Sequence, residues 1–163
     1  MIWPAQKDVI SVFGDPRDPD DVTRPSAKWE SDNLVSVKAP FPLTYTGLPV
    51  KSVRCHRLVA DAFTGALETI RDAANGDIAK LDAWGITIFG GSYNYRLMRG
   101  LNALSMHSYG IAFDFDPERN GLGDPHPNFR SIYEILSAWK SQGATWGGNF
   151  SRSDGMHWQF ANI

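Results

Sequence analysis

Two short stretches of the chain carry residue types that do chemistry. Ser105-Met-His107-Ser-Tyr-Gly110-Ile-Ala112-Phe-Asp114 puts a carboxylate seven positions after an imidazole, and Asp154-Gly-Met-His157-Trp158 puts a second imidazole three positions after a second carboxylate. Asp114 stands among Ala112, Phe113 and Phe115. An ionised carboxylate in such company costs several kcal/mol unless a cation or hydrogen-bond donors meet it. A bound metal would be that cation. Zinc accepts imidazole nitrogen and carboxylate oxygen at about 2.0–2.2 Å, and catalytic sites keep three protein ligands with a fourth position open. His107, Asp114 and His157 make up that count. Taken singly, each histidine reads instead as an ordinary hydrogen-bonded polar residue near a sheet.

Taken together, the spacings resemble a known group. The pattern S-x-H-x-x-G-x-A-x-D, filled by Ser105, His107, Gly110, Ala112 and Asp114, and the downstream D-x-x-H-W, filled by Asp154, His157 and Trp158, are similar to those of the D-alanyl-D-alanine carboxypeptidase-like zinc peptidases. A segment Gly90-Gly-Ser-Tyr93-x-x-Arg96 ahead of the first motif also matches. That family includes L-alanyl-D-glutamate endopeptidases, many phage endolysins among them, and vancomycin-resistance dipeptidases. The resemblance implies a single α+β domain of the LAS zinc peptidase type, holding one Zn2+ on His107, Asp114 and His157. Asp154 would be the general base, moving a proton from the attacking water to the leaving amine, and it is one methylene shorter than the glutamate often found there. Arg96 would meet the substrate carbonyl as it becomes an oxyanion, with Arg99 a near competitor. Ser105, Tyr93 and Trp158 would bind substrate or support the ligands. Ser105 reads equally as a turn residue, and Trp158 and Trp146 read equally as cleft walls or core.

These residues need a scaffold. Residues 1–55 hold seven of the ten prolines, so they read as extended segments and turns wrapped over a core, with short apolar stretches such as Val9–Phe13 and Leu34–Val37 between them. Residues 85–160 read as the motif-bearing core. Leu58, Val59, Ala62, Phe63, Ala66, Leu67 and Ile70 recur at helical steps, predicting a helix from Arg57, a break at Gly76, and a second helical piece to Leu81. Residues 85–89, 109–115 and 156–160 read as strands, and residues 90–107 as a long loop. Residues 129–142 predict a helix with Phe129, Ile132, Tyr133, Leu136 and Trp139 on one face and Gly143 as its stop. Mixed helices and antiparallel strands in this order give an α+β domain with helices on a small antiparallel sheet.

Length and composition bound the function. At 163 residues the chain fits one domain, 1–163, and a 42% hydrophobic content supplies a real core. A net charge of −2 gives no global attraction to nucleic acid or to an acidic membrane. No membrane helix or signal peptide is visible, so the expectation is a monomer made in the cytoplasm that reaches peptidoglycan peptides at the cell wall by another route, as an endolysin does. The single Cys55 allows no internal disulfide and lacks the neighbours of a nucleophile. His56 and His126 fall in no motif. Asp116, Glu118, Asn120 and Asp124 are spaced like a Ca2+ loop, yet Pro127 stands where the bidentate glutamate belongs, so an acidic turn is the better reading. Two other functions compete with the peptidase: a zinc-containing cell-wall binding module without hydrolysis, and a glycosidase using Asp114 and Asp116 as its carboxylate pair.

Overall fold

The computed structural model describes residues 2–98 and 100–163; Arg99, the competitor of Arg96, lies outside the described residues. A 3-10 turn at Gln6–Asp8 leads into α1 (Val9–Phe13) and then α2 (Ala27–Asn33), which Ser26 caps by accepting a hydrogen bond from the Trp29 amide. There follow β1 (Leu34–Val37), the two-residue strands β2 (Thr44–Tyr45) and β3 (Leu48–Pro49), and β4 (Val53–His56). Next come α3 (Ala60–Ala73), α4 (Ile78–Trp84), β5 (Phe89–Gly91), β6 (Ala112–Phe115), α5 (Tyr133–Ser141), β7 (Thr145–Trp146) and β8 (His157–Gln159). The proline-rich first third thus includes two short helices; Val9–Phe13, expected to be extended, is one helical turn that buries Val9 and Phe13.

The principal sheet has the order β5-β6-β8-β7 and is antiparallel throughout, so the expected α+β architecture is the one observed. Its two faces follow from the period-2 alternation of strands. Phe113 and Phe115 of β6 and Trp158 of β8 turn toward the helices. Phe63 of α3 stacks on Phe113 at 4.1 Å between ring centroids, and Trp139 of α5 stacks on Trp158 at 5.2 Å. Asp114, His157 and Gln159 occupy the alternate positions, on the opposite face. The register pairs Phe113 with Trp158 and Asp114 with His157.

Several boundaries shift from the sequence expectation. The helix expected from Arg57 begins at Ala60, and the next runs to Trp84 rather than Leu81; Gly76, at φ +69°, does separate them. The strand expected over 85–89 covers Phe89–Gly91 instead, because Gly85 takes a left-handed conformation that closes α4. Residues 109–111 are not strand either. Tyr109 ends a 3-10 turn, Met106–Tyr109, and Gly110 at φ +68° turns the chain into β6. The helix expected over 129–142 splits into a 3-10 turn at Asn128–Ser131 and α5. Tyr133 is 75% exposed rather than on the buried face, which is made by Ile135, Ala138 and Trp139.

Candidate metal centre

The first motif is a folding instruction as much as a set of ligands. Ser105 caps the 3-10 turn, its Oγ accepting from the His107 amide at 3.3 Å. The Gly110 carbonyl accepts from the His56 amide at 2.8 Å, and a Cβ on Gly110 would stand 2.9 Å from that same nitrogen. Only glycine fits this left-handed corner against β4. His107 is thereby fixed within one turn and Asp114 within the next strand, with Ala112 fully buried between them.

Three donor atoms converge. His107 Nε2 lies 3.2 Å from His157 Nδ1 and 3.3 Å from Asp114 Oδ1, and His157 Nδ1 lies 3.1 Å from the same carboxylate oxygen. The edge of a tetrahedron is about 1.63 times its centre-to-corner distance, so zinc bonds of about 2.0–2.1 Å need donors about 3.3–3.4 Å apart. The observed triangle is close to such a face.

The outer ring nitrogens fix which lone pairs point inward. His107 Nδ1 is 2.6 Å from the carbonyl oxygen of Ser92, an atom that only accepts, so this nitrogen carries the proton and Nε2 the lone pair. On His157, Nε2 is 2.9 Å from Gln159 Oε1. The Gln159 amide is oriented in turn by its Nε2, which donates to the Ala161 carbonyl at 3.1 Å. His157 therefore carries its proton on Nε2 and presents a lone pair at Nδ1. Two imidazole lone pairs and a carboxylate oxygen facing one another need a cation between them, and a divalent metal meets that need. The electrostatics show the same need for positive charge: burial alone would raise the Asp114 carboxyl, and where protons on His107 and His157 take the metal's place their hydrogen bonds and charge hold it far below the ordinary carboxylate range. His157 is raised: burial opposes its charge, and Asp114 outweighs the burial.

A cleft of about 430 Å³ opens on this cluster, lined by His157, Gln159, Ser105, Asp154, Arg96 and Arg152 among others. Asp154 sits on the segment between β7 and β8. Its amide donates to the Gly147 carbonyl at 2.8 Å, and its own carbonyl accepts from the His157 amide at 3.1 Å. One carboxylate oxygen, Oδ1, is buried without a hydrogen-bond partner among the described residues. Burial raises the Asp154 carboxyl, and nearby Asp114 adds to the rise, against the charges of His157, His107 and Arg96. A carboxylate raised this way is a better proton acceptor near neutrality. Arg96 is exposed at the cleft, its amide held by Ser108 Oγ at 2.8 Å.

Two expected site residues are elsewhere. The Tyr93 hydroxyl donates to Glu30 Oε1 at 2.6 Å with the Arg54 guanidinium over its ring, so it braces the loop against α2. Trp158 is 1% exposed and stacks between Trp139 and Trp146 in the core, on the sheet face away from His157. Trp146 is also buried, and its indole N–H donates to the Gly155 carbonyl at 2.8 Å. Ser92, Ser108 and Gln159 were not anticipated. Gln159 was findable, since it lies two residues after His157 on the same strand face.

Other polar residues fall outside the centre. Asp116 is buried with its Oδ2 accepting from Arg119 Nε at 2.7 Å, and Asn120 spans the turn from the Asp116 carbonyl to the Phe129 amide. Residues 116–124 are thus a self-bonded acidic turn, and Asp116 is tied up away from the cleft, which removes the glycosidase pair. His56 is buried between Phe13 and Trp29, and Cys55 is buried with its thiol pushed up to about 12. His126 is an exposed loop residue.

The model of the D-alanyl-D-alanine carboxypeptidase family matches residues 99–160. The match spans less than half of the chain but includes Ser105, the three donors and Asp154; it supports a peptidase of this kind. Curated proteins give no match. Among the described residues no helix is long and apolar enough to cross a membrane.

Proposed function

We propose that the chain is a zinc-dependent peptidase of the D-alanyl-D-alanine carboxypeptidase family that hydrolyses peptide bonds of peptidoglycan. The observation that carries this reading is the triangle of His107, Asp114 and His157, with lone pairs directed inward by Ser92 and Gln159, at the wall of a cleft that also holds Asp154 and Arg96. A zinc ion, when bound, supplies Lewis acidity, which acidifies water to a pKa of about 7 and polarises a carbonyl. The chain's own residues do the rest. Asp154 takes a proton as water attacks and returns it to the nitrogen that leaves. Arg96, permanently charged, donates to the carbonyl oxygen as negative charge grows on it. On this reading the activity is that of an L-alanyl-D-glutamate endopeptidase or a D-Ala-D-Ala carboxypeptidase, acting at the cell wall in the manner of a phage endolysin, and the family resemblance supports it.

Zinc-loaded protein incubated with purified peptidoglycan should release new amino groups, and mass spectrometry of the muropeptides identifies the bond. Chelation should stop the release, and Asp154→Asn should stop it while leaving zinc bound. A zinc-loaded protein that binds walls without releasing amino groups would instead be a binding module, and chelator-resistant formation of new reducing ends would overturn the metal-dependent reading.

A further inference from the structure

Resting on that reading, we propose that Arg152 binds a free α-carboxylate on the residue that carries the leaving amine, so that the cleft selects peptides whose departing part keeps this group. The cleft has cations on two separate segments: Arg96 on the loop before Ser105, and Arg152 two residues before Asp154. Arg17, Arg24, Arg54, Arg71 and Arg119 each meet a carboxylate; Arg57, Arg96, Arg130 and Arg152 form no ion pair among the described residues, and of these four Arg96 and Arg152 line the cleft. Arg152 is exposed, on the segment that carries the proton-transferring acid. Counting a divalent ion with Asp114, Asp154, Arg96 and Arg152, positive charge in the cleft exceeds negative by two, which favours an anionic ligand.

The direction of the peptide follows from the proton. Asp154 hands its proton to the departing nitrogen, so the leaving residue lies on the side of Asp154, and Arg152 lines the same cleft from two residues before it. The planar guanidinium matches a carboxylate with two parallel hydrogen bonds. Met98, Leu101, Leu122 and Phe150 supply apolar lining and Gln6, Ser105, Ser151 and Gln159 only neutral polar groups, so the guanidinium side chains that line the cleft are those of Arg96 and Arg152. A C-terminal D-alanine offers an α-carboxylate beside its amine. So does a glutamate whose onward chain leaves through its side-chain carboxyl. One guanidinium would thus serve either of the two bonds.

Calorimetry on the zinc-loaded Asp154→Asn protein, which separates binding from turnover, tests the proposal with paired N-acetylated peptides ending in D-Ala-D-Ala or L-Ala-D-Glu, each with the α-carboxylate free or amidated. The free acid should bind about tenfold or more tightly than its amide, the size of losing a charge-assisted pair. Adding Arg152→Gln should bring the ratio near one, and Arg152→Lys should restore part of it; a thermal melt confirms that each variant folds. Equal affinity for acid and amide, a ratio that survives Arg152→Gln, or no binding of any peptide overturns the proposal. Cleavage by the unmodified zinc-loaded protein is scored separately: a preference for the acid without hydrolysis leaves Arg152 as a carboxylate site and defeats the peptidase reading alone.

Discussion

At the scale of single residues, the proton on the outer nitrogen of each histidine matters as much as the lone pair on the inner one. Gln159 sets that proton on His157, and its replacement by leucine leaves a buried N–H without an acceptor and the ring free to turn. Partners of this kind are typically worth about 10–100-fold in metal affinity. Gln159→Leu should therefore weaken zinc binding by about that factor in competition with a chelating dye, with circular dichroism unchanged, while Gln159→Glu, which keeps an acceptor, should lose less. His56 makes a different prediction. Burial depresses its pKa from 6.5 to about 4, so the folded state keeps it neutral where the unfolded chain would protonate it. Its contribution is present above about pH 6.5 and drains away as pH falls toward about 4, by about 3 kcal/mol at most. Urea unfolding at pH 7 and pH 4.5 should show a smaller acid loss in His56→Gln than in the parent.

At the scale of elements, the site is a product of strand alternation and tight turns. On β6 and β8 alternate residues serve opposite masters: Phe113, Phe115 and Trp158 hold the helices, while Asp114, His157 and Gln159 share the face that carries the metal centre. That division was legible in the sequence for Asp114, whose charge is anomalous beside Ala112, Phe113 and Phe115, and His157 was legible through its D-x-x-H-W motif. The same alternation, carried one residue further, puts Trp158 in the core and Gln159 beside the metal. Tyr93 was not legible, because its partner Glu30 is 63 positions away and lies on a helix within the proline-rich third. The strand boundaries at 85–91 and 109–112 slipped for one shared reason: Gly85 and Gly110 spend their left-handed conformations on closing turns, not on entering strands. Gly147, next to Asp154, is required for a different reason, the close approach of its neighbours. A Cβ there would lie 2.5 Å from the Asp154 carbonyl oxygen and 3.0 Å from His157 Cβ, so the segment carrying both residues must move. Gly147→Ala should cost about 1–3 kcal/mol of stability and reduce kcat/KM by at least tenfold, a larger loss than the same fall in stability produces when Phe63 is trimmed to Leu behind the sheet.

At the scale of the whole molecule, the three donors come from a turn, a strand and a second strand, His107 and His157 being 50 residues apart. An ion that joins them binds the folded chain and not the unfolded one, so zinc at about 100 times its dissociation constant should add about 2.7 kcal/mol of stability. A melting temperature that rises with zinc in the parent and stays level in His157→Ala would show this linkage. The two ends of the described chain also meet: the Gln6 amide donates to the Asn162 carbonyl at 2.6 Å and Asn162 Nδ2 to the Trp3 carbonyl at 2.7 Å. Gln6 in turn lines the cleft.

The stacking of Phe63 on Phe113 carries one more consequence. Residues 99–160 contain every donor and Asp154, yet the ring that supports β6 belongs to α3, the carbonyl that sets the His107 proton belongs to Ser92, and the neighbouring strand β5 precedes both motifs. Cut out as a peptide, that stretch would keep the whole chemical vocabulary of the site and lose its grammar: a metal would meet three separate donors on a loose chain instead of one prepared face.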